Sequence, residues 1–378
     1  MRAEPDDSLT WLRLGEAYNH AGRHVAALKA LERARELQPD DWIAAYFIGD
    51  VYRQTGQYQF ALDAFKSILK DRPTEVGVVA SFAQTYLDLG RNQLNDGFIA
   101  RAELSLSSAV EIAINAMVDN PGFRGVLWKL VGDAIFLLSS RMVFIDEPPV
   151  RTALTLASNA LSRESTTHLN GIVDSIEINF QQPLDGSKAL DIALATYDHR
   201  LVLGSTESTV MGSAWFDLGV AIRMWTIRKP SNLQLQFAEA KIVECFAQAL
   251  RDSPDNDTYW MAMGDAYFVS NARLAQHAYI RALEIDPKVS SSPFLSFIDF
   301  PQNAETWTNL GLLYLNHGDL ELANEALYRA QTLDPDYALA WVGQGLAAEA
   351  IGHKRDATLL FAHAVTLAVL VCTSVQTI

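Results

Sequence analysis

Small and large apolar residues recur along this chain at an offset of 34 residues. Within each period, apolar positions three, four and seven residues apart predict amphipathic helices. A proline after the second helical run predicts where that helix ends. The offset joins Gly15 to Gly49, Tyr18 to Tyr52, Ala27 to Ala61, Pro39 to Pro73, Trp307 to Trp341, Gly311 to Gly345, Ala323 to Ala357, Leu327 to Phe361, and Ala330 to Ala364. The pattern therefore predicts repeated pairs of helices.

The order of these residues is typical of tetratricopeptide repeats. In that signature, W-x2-L-G-x2-Y marks the first helix, A-x3-F-x2-A the second, and proline follows. Glycine and alanine let two helix backbones approach closely, and the large residues fill the groove between helices. We therefore predict an all-α tetratricopeptide (TPR) fold, a helix-turn-helix superhelical solenoid whose surface recognises other proteins.

Loss of the signature in two places predicts interruptions of the array. Pro148-Pro149 predicts a helix break, although residues 150–163 and 187–203 have helical patterns, and the second stretch is a candidate divergent repeat helix. Extra residues near 94–101 predict a longer turn or a lengthened second helix in repeat three. The predicted segments are three to four repeats over 8–138, a divergent, partly helical insertion over 139–210, two repeats over 211–289, a Phe-rich loop over 290–303, and two repeats over 304–371.

Charge and cysteine usage narrow the functional class. The net charge is −15 over 378 residues, so strong direct binding of a phosphate backbone is disfavoured. Cys245 and Cys372 are far apart, which argues against a disulfide framework or a zinc site. The apolar run from Ala364 to Cys372 is much shorter than the ~20 residues that span a bilayer. We expect no membrane association and a cytoplasmic protein, with the nucleus left open as a second location.

Residues that could carry chemistry do not form a recognisable constellation. The eight histidines have no metal-binding spacing, and no phosphate-binding loop is present. We predict no catalytic residue, no metal and no cofactor, and hence a protein that is not an enzyme. The signature tryptophans are predicted to lie in the core between helices, whereas Trp42 and Trp225, which are out of register, are either exposed or partly buried.

Partner-binding positions are predicted on the first helix of each repeat, one and five residues after the signature tryptophan. Acidic residues at several of these positions, including Glu16 and Asp50, would repel a C-terminal carboxylate. A clamp for chaperone tails is therefore disfavoured. Phe294, Phe297 and Phe300 could anchor a partner, but the favoured interpretation is that they cover a gap between repeats. The helix candidates are Lys129, Asp133, Met261, Asp265, Thr308 and Leu312.

Several segments resemble one family more specifically than the repeat signature does. They include Trp128-Lys-Leu-Val-Gly-Asp-Ala, Ala214-Trp-Phe-Asp-Leu-Gly, Asp255-Asn-Asp-Thr-Tyr-Trp-Met-Ala-Met-Gly-Asp-Ala-Tyr-Phe and Trp341-Val-Gly-Gln-Gly-Leu-Ala-Ala-Glu-Ala-Ile-Gly. Together they resemble the tetratricopeptide scaffold subunits of the superkiller (Ski) complex, the tetratricopeptide repeat protein 37 family. The resemblance covers about Gly125 to Ala364 and is most specific from Asp255 to Gly352.

The resemblance implies a cytoplasmic scaffold without catalysis of its own. Such a scaffold holds an RNA helicase and β-propeller (WD40) subunits, and the assembly feeds mRNA 3′ ends to the exosome for decay. Family members are several times longer, so we expect this chain to be a fragment. The alternative is a generic tetratricopeptide adaptor or co-chaperone, and a regulatory segment of a glycosyltransferase is a weaker third interpretation.

Overall fold

The computed structural model describes residues 7–119, 122, 124–161, 169, 172, 184–228, 232–285 and 302–374. These residues contain seventeen α-helices and no strand. An isolated antiparallel bridge joins Val143 to Asp185. The chain forms two compact units, one from residues 1–205 with 227–230, and the other from 206–226 with 231–378.

The first unit holds nine helices within its described residues. They are α1 (Ser8–His20), α2 (His24–Leu37), α3 (Trp42–Gln54), α4 (Tyr58–Asp71), α5 (Val76–Asn95), α6 (Ile99–Asp119), α7 (Arg124–Ser139), α8 (Glu147–Leu161) and α9 (Gly186–Leu203). In repeat three the extra residues lengthen both α5 and α6, and the turn between them stays short.

The second unit holds the remaining eight helices, apart from the last two residues of α10. They are α10 (Ser208–Arg228), α11 (Asn232–Asp252), α12 (Asp257–Tyr267), α13 (Ala272–Glu284), α14 (Gln302–Asn316), α15 (Leu320–Leu333), α16 (Ala338–Ile351) and α17 (Lys354–Ser374). Phe294, Phe297 and Phe300 lie outside the described residues, so both interpretations of the Phe-rich loop stay predictions.

Caps and turns explain where the repeat helices begin and end. Asp41 and Asn256 accept hydrogen bonds from backbone N–H groups in the first turns of α3 and α12, which stabilises helix N-termini. Between the two helices of a repeat, Gly22 and Gly318 have φ angles of 71° and 83°. Only glycine adopts this left-handed conformation without strain, so the chain reverses direction there.

The signature glycine of the first helix lies directly against a large residue of the second. A Cβ on Gly15 would lie 2.6 Å from Cγ of Leu31, and one on Gly264 would lie 2.5 Å from Cε1 of Tyr279. Both large side chains are fully buried. The same arrangement joins Gly49 to Phe65, Gly90 to Leu106, Gly219 to Phe246, Gly311 to Leu327, and Gly345 to Phe361. Close backbone approach therefore defines the helix pairs, as the signature predicts.

The fourth pair shows how the chain accommodates its insertion. A Cβ on Gly132 of α7 would lie 2.7 Å from Cε1 of Tyr197 in α9, so α9 completes the repeat that α7 begins. The intervening helix, α8, packs against α6. The predicted break at Pro148-Pro149 is wrong, because both prolines lie in the first turn of α8. A first turn tolerates proline because its N–H groups have no partner within the helix.

The pairing of α7 with α9 has no amphipathic signal in the sequence. Helix α9 is buried at every position from Ala189 to Leu201, including Asp191, Asp198 and Arg200. A helix that is covered all round has no polar face, so its hydrophobic periodicity is lost. This burial explains why the repeat signature fades in this part of the chain.

Candidate interaction surface

Aspartate follows the signature glycine in three repeats, at Asp50, Asp133 and Asp265. Each of these side chains is half-buried on the first helix of its repeat. The recurring Gly-Asp pair was available in the sequence as a signal that these positions share a role. The structure shows that role to be contact with neighbouring helices.

Asp265 in α12 has hydrogen-bond partners on three other helices. One carboxylate oxygen, Oδ1, accepts a hydrogen bond from the Tyr279 hydroxyl at 2.6 Å and another from Nδ2 of Asn309 at 3.2 Å. The other oxygen, Oδ2, accepts from Nη1 of Arg223 at 2.6 Å. Asp265 therefore links four helices of the second unit: α10, α12, α13 and α14.

Asp50 and Asp133 have equivalent roles in the first unit. The guanidinium of Arg53 donates to Asp50 at 2.7 Å and, in the next repeat, to Asp88 at 2.9 Å. Asp133 accepts from the Tyr197 hydroxyl at 2.9 Å and lies 3.3 Å from Nζ of Lys129. These carboxylates are neutralised by internal partners, which weakens the prediction that they would repel an acidic ligand.

The six helix candidates are not equally accessible. Thr308 is 1% exposed and its hydroxyl donates to the Ala304 carbonyl, so it cannot contact a partner, and this part of the prediction is wrong. Met261 packs on the cluster around Tyr279, and Leu312 lies beside Gly343 of α16. Lys129 keeps 38% of its side chain exposed.

Glu305 of α14 was missed by the sequence analysis. Its pKa is raised by burial of the carboxyl group and then by repulsion from Asp265, yet the residue as a whole is exposed. Burial, and then Glu305, raises the pKa of the nearby Tyr337 to about 12. Glu305 stands three residues before Thr308 on the same helix.

The burial of the tryptophans agrees only partly with the prediction. Trp128 is buried, but Trp215, Trp260 and Trp307 are half-buried. A cation from the second helix of the repeat covers each of these rings, with the Arg329 guanidinium 4.9 Å from the centre of the Trp307 ring. Trp225, predicted to be exposed or partly buried, is 2% exposed.

An apolar groove of about 300 Å³ lies between α13, α14 and α15. Ile280, Leu283, Trp307 and Leu322 contribute to its walls. Its charged rim is internally paired, since Arg329 lies 2.7 Å from Glu325 and Arg281 lies 2.7 Å from Glu284. The groove therefore offers apolar contact without an unpaired charge.

The described part of the chain contains neither a candidate metal-binding cluster nor a membrane-spanning helix. No group of three or more His, Cys, Asp or Glu side chains there could hold a metal ion. None of the described helices combines the length and apolarity needed to cross a bilayer.

Comparison with known proteins places the fold in a class. Models of the tetratricopeptide repeat match residues 6–73 and 304–337. With the observed helix pairs, these matches confirm the predicted all-α tetratricopeptide fold. Both matched models describe the repeat itself and not a catalytic domain. Proteins of this class bind other proteins through the surfaces of their stacked repeats.

The chain is similar over nearly its whole length to tetratricopeptide repeat protein 37 and to superkiller proteins. It is 27% identical to tetratricopeptide repeat protein 37 of Xenopus laevis, covering 97% of this chain and 21% of that protein. It is 28% identical to superkiller complex protein 3 of Homo sapiens, and the match covers 97% of this chain and 21% of that protein. It is 25% identical to superkiller protein 3 of Saccharomyces cerevisiae, and the match covers 97% of this chain and 25% of that protein.

These relatives confirm the resemblance and extend it to the N-terminal repeats. The chain spans between a fifth and a quarter of the length of each of them.

Proposed function

We propose that this chain forms part of the non-catalytic scaffold of a superkiller-type complex. In that role it holds an RNA helicase and β-propeller (WD40) subunits for exosome-mediated, cytoplasmic 3′–5′ mRNA decay. The observation that carries the proposal is similarity to superkiller proteins across 97% of the chain. The human relative is named as a protein of the superkiller complex.

The internal contacts support a structural role for this chain. Polar side chains of types that can act in catalysis, such as Asp265, Tyr279 and Arg223, instead form hydrogen bonds between helices. Those bonds fix the positions of successive repeats. A scaffold needs this rigidity, because it presents separate binding surfaces at fixed positions.

A generic adaptor or co-chaperone is the second candidate function. Lys129 favours it, since its ammonium is partly exposed on the first helix of a repeat, and co-chaperone repeats use lysine there to grip a carboxylate. Against it, Lys129 already lies 3.3 Å from Asp133. A ligand carboxylate would therefore compete with an internal one.

Affinity purification of the tagged endogenous protein, followed by mass spectrometry, tests the proposal. We expect a helicase and a β-propeller protein in stoichiometric amounts, and cytoplasmic fluorescence of the tagged protein. A chaperone as the sole stoichiometric partner would overturn the superkiller assignment. Loss of that chaperone on Lys129→Ala, with Lys188→Ala as a matched control, would then establish the co-chaperone function.

A further inference from the structure

The connection between α7 and α8 exposes three apolar side chains within four residues. Met142, Val143 and Ile145 are 63%, 75% and 67% exposed, whereas Phe144 between them is 7% exposed. We name residues 141–146 the apolar loop. Clusters of exposed apolar side chains on a protein surface are typical of interaction sites.

The backbone of this loop is hydrogen-bonded to a buried glutamate. Glu103 of α6 is fully buried, and its carboxylate accepts hydrogen bonds from the backbone N–H groups of Ile145 at 3.0 Å and Asp146 at 2.8 Å. Charge-assisted bonds of this kind are among the stronger hydrogen bonds in proteins. The backbone of the loop is therefore fixed while its apolar side chains point outward.

The other side of the loop is fixed by the start of α9. Val143 is bridged to Asp185, and a Cβ on Gly186 would lie 1.8 Å from the Arg141 carbonyl oxygen. The close approach leaves no space for a side chain at position 186. Two elements thus hold the apolar loop in a conformation that presents apolar groups to solvent.

Arg141 adds an unpaired positive charge at the start of the loop. It forms no hydrogen bond or ion pair through its side chain with the described residues, and its Nε atom is buried without a partner. A guanidinium stays charged at all physiological pH values. Arg141 as a whole is half-buried, so it offers a preformed cation at the edge of the loop to a carboxylate from a partner.

We propose that the apolar loop docks a short segment of a partner protein that carries bulky apolar side chains next to an aspartate or glutamate. The inference rests on the proposed scaffold role and names a surface for it. Arg141 supplies the charge complementarity that selects an acidic segment. A second copy of this chain is disfavoured, because one loop offers far less than the roughly 800 Å² per partner of a stable interface.

A library of displayed peptides of about twelve residues, panned on the whole purified chain, provides the probe. We expect enriched peptides that combine aromatic or aliphatic residues with Asp or Glu. The triple variant Met142→Ser, Val143→Ser, Ile145→Ser should weaken their binding about tenfold or more. Val25→Ser is the matched control, since Val25 is 71% exposed on α2 of the same unit, and it should change nothing.

Charge reversal tests the role of Arg141 separately. Arg141→Glu should weaken binding about tenfold or more, and exchange of the peptide's acidic residue for lysine should restore it. Thermal unfolding of each variant monitors the fold. The proposal is overturned if enriched peptides bind the triple variant as tightly as the original chain.

Three other results would also overturn it: enriched peptides that lack acidic residues, a dimer in sedimentation that the triple variant abolishes, or binding to phosphatidylserine vesicles that the triple variant abolishes. None of these outcomes depends on co-purification of a helicase. Failure here therefore remains distinguishable from failure of the scaffold proposal.

Discussion

At the scale of single residues, the glycines of the helix pairs have no room for one more methyl group. A Cβ at Gly264 would lie 2.5 Å from the ring of Tyr279, which is fully buried and hydrogen-bonded to Asp265. The ring cannot move aside without breaking that bond. The residue type at this position is therefore dictated by packing across the pair.

Gly264→Ala should lower the free energy of unfolding by about 1–3 kcal/mol, because an overpacked core forces side chains off their preferred conformations. Urea denaturation followed by circular dichroism measures the change. Gly77→Ala is the control, since nothing lies within 4 Å of a Cβ there. In helix α5, alanine should be neutral or stabilising by up to about 1 kcal/mol. Equal effects at both positions would contradict the packing argument.

Tyr279 makes the stability of the second unit sensitive to alkaline pH. Burial, and then the Asp265 carboxylate, raises its pKa, whereas an unfolded tyrosine ionises near pH ~10. Above that pH the unfolded chain releases a proton that the folded chain keeps. Stability that is fully present below pH ~10 is therefore lost as the pH rises.

Tyr279→Phe should make this alkaline loss shallower, because phenylalanine has no proton to release. Urea midpoints measured from pH ~8 to pH ~11, around the tyrosine reference pKa, give the two slopes. At pH ~8 the variant should cost about 1 kcal/mol for the lost hydrogen bond. Parallel slopes for the two proteins would show that Tyr279 does not cause the sensitivity.

At the scale of elements, buried arginine joins the first helices of neighbouring repeats. Arg53 of α3 is 8% exposed and contacts both Asp50 and Asp88, the latter on α5. Arg91 is 50% exposed and lies 4.0 Å from the same Asp88. Two arginines thus face one carboxylate, one buried between helices and the other at the surface.

Arg53→Met should destabilise the first unit by about 2–4 kcal/mol, because it removes the buried counter-charge that two half-buried carboxylates share. Arg91→Met should cost less than about 1 kcal/mol, since exposed ion pairs contribute little. Chemical denaturation of both variants provides the comparison. A larger loss for the Arg91 variant would contradict the assignment of Arg53 as the joining residue.

At the scale of the whole molecule, the net charge disfavours strong direct binding of nucleic acid. The net charge of −15 repels a phosphate backbone, and non-specific binding depends on releasing counterions through Lys and Arg contacts. RNA would therefore have to be handled by a partner. The proposed helicase fits that requirement.

Fluorescence anisotropy with a labelled single-stranded RNA should show a dissociation constant weaker than ~10⁻⁴ M at physiological salt, the weak end of non-specific binding. A basic RNA-binding domain with the same RNA serves as the positive control. Micromolar, salt-dependent binding by this chain would contradict the expectation and would indicate a local basic surface.

Sequence periodicity determined most of the helix pairs, because a glycine at one fixed position and a large apolar residue at another suffice to bring two helices together. Gly15 with Leu31, and Gly264 with Tyr279, illustrate this: both positions belong to the signature. The Gly-Asp pairs were also visible in the sequence, but their contacts were not. Asp265 and Arg223 are separated by 42 positions on different repeats.

What the sequence by itself determined is the class of fold and the resemblance to superkiller scaffolds, since both rest on local spacing and residue identity. Only the tertiary structure decided that α9 pairs with α7, because a helix buried on all sides has no amphipathic pattern. It also decided that Thr308 is inaccessible and that Glu103 holds the apolar loop. Burial and contacts between distant residues depend on how the helices stack, and no local spacing encodes that.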